Sequence, residues 1–516
     1  MADRTGVGRF AGNLTTFLNV HRQMQQADAA ARARAHAART DWAMKTAKPT
    51  GQLGDGRLAN SDDVARAGLL DPRGLFLGEH NGRLLFWSSD ESVLTYLRTG
   101  GGKGVSLLQP NLAHVRDRTL IVTDVKDGEL AWSTAKHRSE RLGIQNIFIN
   151  PFGLHGDGFK GVRINPLQKL IEVAASGERF DGEAEQIAHI LLPQSSKPGD
   201  NDWVTKGARE LACLRMEFTA RFDPDNCTLS DIWRFINGDG QHFALAFSLM
   251  ATCGDESIER RAKTYDGMIA DAPKQWEAIR SELATAISAF DPEKSLGKAT
   301  AAHDIDLTKV KRRPHTIYVI IPVSKLDAAA VFCSLIIALL IEVLAATRGP
   351  VRATFLLDEF ANFPKVAGLL RSLRLHRSLG LNYWFFAQGR HSMTGKWTKE
   401  EVKEIEDQVG CTIYRNVWEP DLLKDISMWS GSTTILSRGV SHNASPVETG
   451  AANLGEAKRA VLQTEDILAL GAGKQIMRVT AMAHLLVADA VPFFKVEPWS
   501  SHIRDVRVLH RGSDEE

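Results

Sequence analysis

The chain of 516 residues predicts an α/β protein with a mostly parallel sheet, interrupted by a long all-helical insertion. Three observations carry that prediction. Short apolar strands alternate with helical stretches in two separate parts of the chain, the strand signal fades between Phe180 and Ala302, and two strand ends carry chemistry in place of ordinary turns.

Residues 1–48 are Ala-rich and basic, with Arg32, Arg34, Arg39 and Lys45, and read as a solvated helical arm, with a docking surface as the alternative. From Thr50 to about Asp90, Gly and Asp separate short apolar pieces at 74–77 and 84–87, which predicts short strands at the edge of the next unit. Strands are then predicted at 92–97, 119–123 and 146–150, with a helix at 129–142. A helix begins near Val105 and is bent or broken at Pro110. The insertion holds candidate helices at 203–220, 229–235, 242–251, 257–269 and 272–289. The sheet resumes with strands at 316–321, 354–357, 381–386, 411–414 and 475–479, and with a buried helix over 326–346. The expected divisions are therefore an arm (1–48), a nucleotide-binding domain in two parts (49–180 and 303–498), the helical insertion (181–302) and a tail (499–516).

Composition narrows the function. Lys and Arg number 63 against 62 Asp and Glu, which argues against a histone-like binder but leaves room for basic groups lining a pore. Five scattered cysteines without a C-x-x-C pair argue against a disulfide framework or a cysteine zinc site, so a reducing compartment is expected. The apolar, charge-free run between Asp327 and Glu342 has 14 residues where about 20 would cross a bilayer, so it reads as a buried helix. His36, His484 and His510 have no metal-ligand spacing. The cluster Lys309, Lys311, Arg312 and Arg313 reads equally as a phosphate contact or a solvated linker.

The chemistry lies at the strand ends. Thr99-Gly100-Gly101-Gly102-Lys103-Gly104-Val105 follows one strand and precedes a helix, where consecutive glycines can turn N–H groups onto phosphates and Lys103 can neutralise charge. The match to a general phosphate loop is imperfect. Leu97 stands where the first glycine is expected, and Gly104 replaces the Ser or Thr that would reach Mg²⁺; Ser106 is no simple substitute. By itself this segment could also be a flexible glycine turn. Phe355-Leu356-Leu357 ends in Asp358 and Glu359, which fit as the Mg²⁺ ligand and as the group that orients and activates the attacking water of ATP hydrolysis. Gln388, after a third strand, could contact the γ-phosphate or that water, or be an ordinary strand cap.

These segments resemble the coupling proteins of conjugation and type IV secretion, and the likeness runs over residues 54–498. Ala67-Gly68-Leu69-Leu70 with Gly74-Leu75 resembles the segment before that family's phosphate loop, and Gly102-Lys103-Gly104-Val105 with Pro110 resembles the loop itself. Glycine at position 104 departs from phosphate loops in general but not from this group. Asp124-Val125-Lys126 and Gly128-Glu129 resemble the next segment, with Asp127 intruding. Asn150-Pro151-Phe152, Arg163-Ile164-Asn165-Pro166-Leu167, Trp203 with Ala208-Arg209, Asp358-Glu359-Phe360-Ala361, Arg377-Ser378-Leu379-Gly380 with Gln388, and Thr464-Glu465-Asp466-Ile467 after Arg459 continue it in order.

The resemblance implies a RecA-like core that hydrolyses ATP between the subunits of a homo-hexamer. It also implies an all-helical insertion that receives the relaxase and DNA. Expected partners are DNA, relaxase, accessory proteins and the inner-membrane components of a type IV secretion system. No stretch reads as the family's transmembrane anchor, so the expectation is either a member recruited by partners or one whose anchor was lost or removed, with a cytoplasmic location and attachment to the inner face of the inner membrane through partners. Arg377, 18 residues after Glu359 and just before the strand at 381–386, is expected near the same rim of the sheet and, from the resemblance, to act as an arginine finger on a neighbouring subunit; a surface arginine is the alternative. Two other functions stay open: a chromosome-segregation type translocase or helicase on the same core, and a non-catalytic adaptor that recruits secretion substrates.

Overall fold

A computed structural model describes residues 5–46, 48–193, 202–363, 365–366, 368–441 and 451–506. His510 and the end of the expected tail, 507–516, lie outside them. The described residues form thirteen strands: β1 Leu75–His80, β2 Arg83–Trp87, β3 Ser92–Leu97, β4 Arg118–Asp124, β5 Gln145–Ile149, β6 His315–Ile320, β7 Arg352–Leu357, β8 Leu381–Ala387, β9 Val409–Arg415, β10 Ser432–Ser441, β11 Ala451–Ala460, β12 Lys474–Val479 and β13 Leu486–Asp489. Eleven of them make one sheet in the order β2-β1-β13-β12-β9-β3-β8-β7-β4-β6-β5. From β9 to β5 every pairing is parallel. The remaining pairings are antiparallel.

The parallel strands β3, β4, β6 and β8 are buried along their lengths, which explains their mostly apolar runs: helices cover both faces, so neither side of such a strand needs polar residues. Helix Leu326–Ala346 forms where expected. It is long and apolar enough to cross a membrane, yet two thirds of its apolar stretch is buried inside the fold, as befits a core helix. Between β5 and β6 the described residues hold no strand, and their helices include Gln168–Ser176, Asp202–Phe222, Leu229–Ile236, Gly240–Met250, Glu256–Asp271 and Pro273–Ile287. Their core is aromatic: Phe235, Phe243, Phe247, Tyr265 and Trp276 meet edge to face or stacked.

The chain separates into two compact units, one of residues 59–422 with 470–516 and the other of residues 1–58 with 423–469. The smaller unit holds helix Thr5–Thr46 and the ribbon β10–β11, paired from Ser432↔Ala460 to Ser441↔Ala451. Thr50 ties the arm to β11, its N–H and hydroxyl each donating to the Glu456 carboxylate at 2.6 Å. Gly54 lies against Ser432, whose carbonyl oxygen would meet a Cβ at 2.4 Å, so only glycine permits this approach.

The basic cluster before β6 divides. Lys311 is buried, its Nζ donating to Leu379 O at 2.8 Å, and Arg313 Nη2 donates to Gln145 Oε1 at 2.8 Å. Lys311 is thus a tie between elements and does not face a polyanion.

Candidate nucleotide site

Parallel strands end on one edge, and this is why residues far apart in sequence meet here. β8 lies between β3 and β7, so the glycine loop after β3, Gln388 after β8 and the acids after β7 share that edge. Gly100 and Gly102 both take left-handed backbone angles (φ 78°), which glycine adopts without strain. Beyond Lys103 the helix opens with one wide turn, Gln109 N–H reaching back five residues to Gly104 O. Pro110, which has no N–H to give, then stands in the first turn of helix Gln109–His114. Buried Asn111 fastens that helix to β1, exchanging bonds with both backbone groups of Phe76 at 2.7 and 2.9 Å.

Lys103 Nζ bridges the two acids, contacting Asp358 Oδ1 and donating to Glu359 Oε1 at 2.8 Å. The three side chains are only 13%, 3% and 16% exposed. Burial works against the ammonium, but the two carboxylates outweigh it and raise the lysine's pKa. Burial raises the Asp358 pKa against the pull of Lys103, whereas at Glu359 the same burial is overcome by Lys103, Lys126 and a hydrogen bond from Gln388, and the carboxyl lies below its usual range. The two acids are therefore driven apart by their surroundings. Glu359 also takes a left-handed backbone (φ 52°), a strain that glutamate seldom bears and that aims its side chain into the site.

Asp124, at the end of β4, is fully buried; burial is the main cause that pushes its carboxyl up to about 8, with the charge of Asp358 adding to it. It accepts from Ala131 N–H at 2.7 Å, at the start of helix Glu129–Glu140. The intruding Asp127 is accommodated in a left-handed conformation (φ 53°), and its side chain caps Val323 N–H at 3.0 Å.

The structure brings Lys103, Asp358, Glu359 and Gln388 together and separates Arg377 from them. Arg377 precedes β8, so it sits at the amino ends of the parallel strands, where its Nη1 donates to Glu91 Oε1 at 3.1 Å. The expectation of a shared rim fails because residues before and after one parallel strand lie at opposite edges. Ser106 is turned away as well: its hydroxyl donates to Gly102 O at 2.7 Å and accepts from Arg415. Two residues at this edge escaped the sequence reading. Arg415, the last residue of β9, reaches under the glycine loop, and exposed Trp418 lies 5.8 Å from the Arg98 guanidinium. The only sequence signal was an arginine ending an apolar strand beside the loop's strand, and strand order was needed to read it.

The donor set fits a nucleoside triphosphate with Mg²⁺. Consecutive glycines, a lysine and one buried aspartate suit a phosphate chain and a hard cation, and among the described residues no cluster of three metal-binding side chains would hold an ion without the phosphates. A Cβ at Gly104 would meet nothing within 4 Å, so the missing hydroxyl is a choice of sequence and not a steric demand.

Residues 52–507 match the family described as Type IV secretory system Conjugative DNA transfer. Among curated relatives, Conjugal transfer protein TraG of Escherichia coli is 23% identical over 449 residues, covering 79% of this chain and 68% of that protein. Protein VirD4 of Rhizobium radiobacter is 20% identical over 440 residues, covering 83% and 62%. The chain thus spans about two thirds of the length of these relatives. Among solved structures, plasmid coupling protein TrwB in complex with the ATP analogue ADPNP superposes with a TM-score of 0.61 at 12% identity, over 85% of this chain and 93% of that one. The same protein with ADP and Mg²⁺ gives 0.59 at 13%, over 85% and 94%. At such identity the likeness is one of fold, and it agrees with a RecA-like core with a large, mostly parallel sheet.

Proposed function

We propose, from the premise that the chain belongs to the type IV secretory system conjugative DNA transfer family, that it is an ATP-driven motor coupling relaxase-bound DNA to a secretion channel. The observation that carries this reading is the closely paired, little-exposed set of Lys103, Asp358 and Glu359 beside the glycine loop, with the exposed Gln388 bonded to Glu359. An adaptor without catalysis would have no use for all four.

In this reading the N–H groups of Gly100, Gly102 and Lys103, continued by Gly104 and Val105 and opened by Thr99, hold the phosphates of ATP, while Gly101, whose N–H donates to Arg98 O at 3.0 Å, shapes the turn. Lys103 exchanges its carboxylate partners for phosphate oxygens. Asp358 holds Mg²⁺, which when bound supplies positive charge at the transferring phosphoryl group. Releasing Lys103 leaves Glu359 free to accept a hydrogen bond from the attacking water, with Gln388 keeping its carboxylate in place.

Arg377 acts on the nucleotide of the neighbouring subunit in a homo-hexameric ring. Its position at the opposite edge suits that role, since a ring repeats one heterologous interface in which different faces of successive subunits meet. Relaxase, accessory proteins and the inner-membrane components of the secretion system are the partners, met at the cytoplasmic face of the inner membrane.

The test is ATP turnover by the full chain with and without DNA. Turnover that rises several-fold with DNA is expected; no turnover under either condition, in a chain that folds, overturns the motor.

A further inference from the structure

Arg415 is 2% exposed, and the hydrolysis chemistry makes no use of it. Its Nη1 donates to Gly101 O at 3.2 Å and to Ser106 Oγ at 2.6 Å, and its Nη2 donates to Gln475 Oε1 at 2.6 Å. Gln475 is held in turn, its Nε2 donating to Leu77 O at 2.6 Å. The guanidinium therefore joins the antiparallel strands β1 and β12 to the back of the glycine loop.

A peptide unit is planar and trans, so a carbonyl held at the back sends the next N–H to the front. Fixing Gly101 O turns Gly102 N–H forward. The bond from Ser106 Oγ to Gly102 O, itself supported by Arg415, does the same for Lys103 N–H. Among the described residues no carboxylate pairs with Arg415 and its Nε finds no acceptor. Burial lowers its pKa to about 10, so it keeps its charge at neutral pH. An unpaired buried cation is costly, and a neutral amide could fasten the same carbonyl with less desolvation. What the charge adds is a positive potential directed at the front of the loop.

We propose that Arg415 is a positioning residue of the nucleotide site, holding the loop's N–H groups forward and favouring ligands in proportion to their phosphate charge. The proposal rests on the nucleotide reading of the loop. It is tested by titrating the full chain with ADP and with a non-hydrolysable ATP analogue, in wild type, Arg415→Met, Arg415→Gln and Arg415→Lys. Loss of charge-assisted hydrogen bonds predicts that Arg415→Met weakens the triphosphate about tenfold to a hundredfold, and the diphosphate by a smaller factor. Arg415→Gln, which can still donate to the loop, keeps the graded loss, and Arg415→Lys recovers part of the affinity. Should Arg415→Met not fold, the Gln variant decides alone. Unchanged affinities, or equal losses for both nucleotides, overturn the proposal; a wild-type chain that binds neither nucleotide overturns the reading of the site itself.

Discussion

The two edges of the parallel sheet hold their charges in opposite ways. At the carboxyl ends Lys103, Asp358 and Glu359 are packed together with little exposure, and Glu359 carries backbone strain. At the amino ends Arg377 pairs with Glu91 while 60% and 32% exposed, and Arg352 pairs with Asp90 at similar exposure. The exposed pairs border a cavity of about 340 Å³ that includes Asp90, Glu91, Arg374 and Arg377. Water screens an exposed pair, so it contributes little to stability and is given up easily, whereas buried charges act strongly on one another. One edge is therefore organised within the chain, and the other is free to engage something outside it.

The most severe way to break that contrast is to remove the charge at the centre of the buried edge. Lys103→Ala is expected to lower ATP turnover at least about a hundredfold while circular dichroism keeps the wild-type spectrum. Glu359→Gln, with Asp358 intact, should bind nucleotide with near wild-type affinity but turn it over slowly; equal turnover would remove Glu359 from the chemistry.

The next effect tests the exposed edge. Arg377→Ala is expected to leave thermal stability almost unchanged, since its ion pair is screened, and yet to lower turnover about tenfold or more. Mixed with Lys103→Ala subunits it should regain part of the activity, because some interfaces then join an intact loop to an intact arginine. No recovery in rings shown by mass to be mixed would count against action across the interface.

A smaller effect is expected at Gly104. Space for a Cβ exists there, so Gly104→Ser should fold normally and reach half-maximal turnover at lower Mg²⁺, by a factor of about two to ten if the hydroxyl contributes one weak ligand. An unchanged Mg²⁺ dependence would mean that the serine does not reach the ion.

The mildest change concerns stability against pH. The Asp124 carboxyl is raised to about 8 in the fold, so the folded chain resists its ionisation, and stability is lost progressively as pH climbs from the ordinary aspartate range to about 8. Asp124→Asn does not titrate. Its melting temperature relative to wild type should therefore rise by a few degrees between pH 5 and pH 8.5, and a constant difference would show that Asp124 is not the group responsible.

Local pattern sufficed for most of the sheet and for the buried edge. Runs such as 92–97 and 381–386 are strands because burial on both faces favours a mostly apolar run, and a glycine cluster or a pair of acids closing such a strand points to a ligand at its end. The ribbon β10–β11 was not legible. Its sequence, rich in Ser, Thr, Gly and Ala, has no alternating apolar face, and the pairing of two chain segments holds it instead.

By itself, then, the sequence determined the element types of the parallel sheet, the glycine loop and the paired acids, because each is written in neighbouring residues through burial period and backbone freedom. The tertiary structure alone decided which edge each residue occupies and which distant residues support it. Arg377 and Gln388 flank the same strand at 381–387 and end up at opposite edges, while Arg415 and Gly101, separated by more than 300 positions, share a hydrogen bond. The physical reason is the parallel sheet: it sends every strand in one direction but orders the strands by packing, and that order is not contained in any local stretch of the chain.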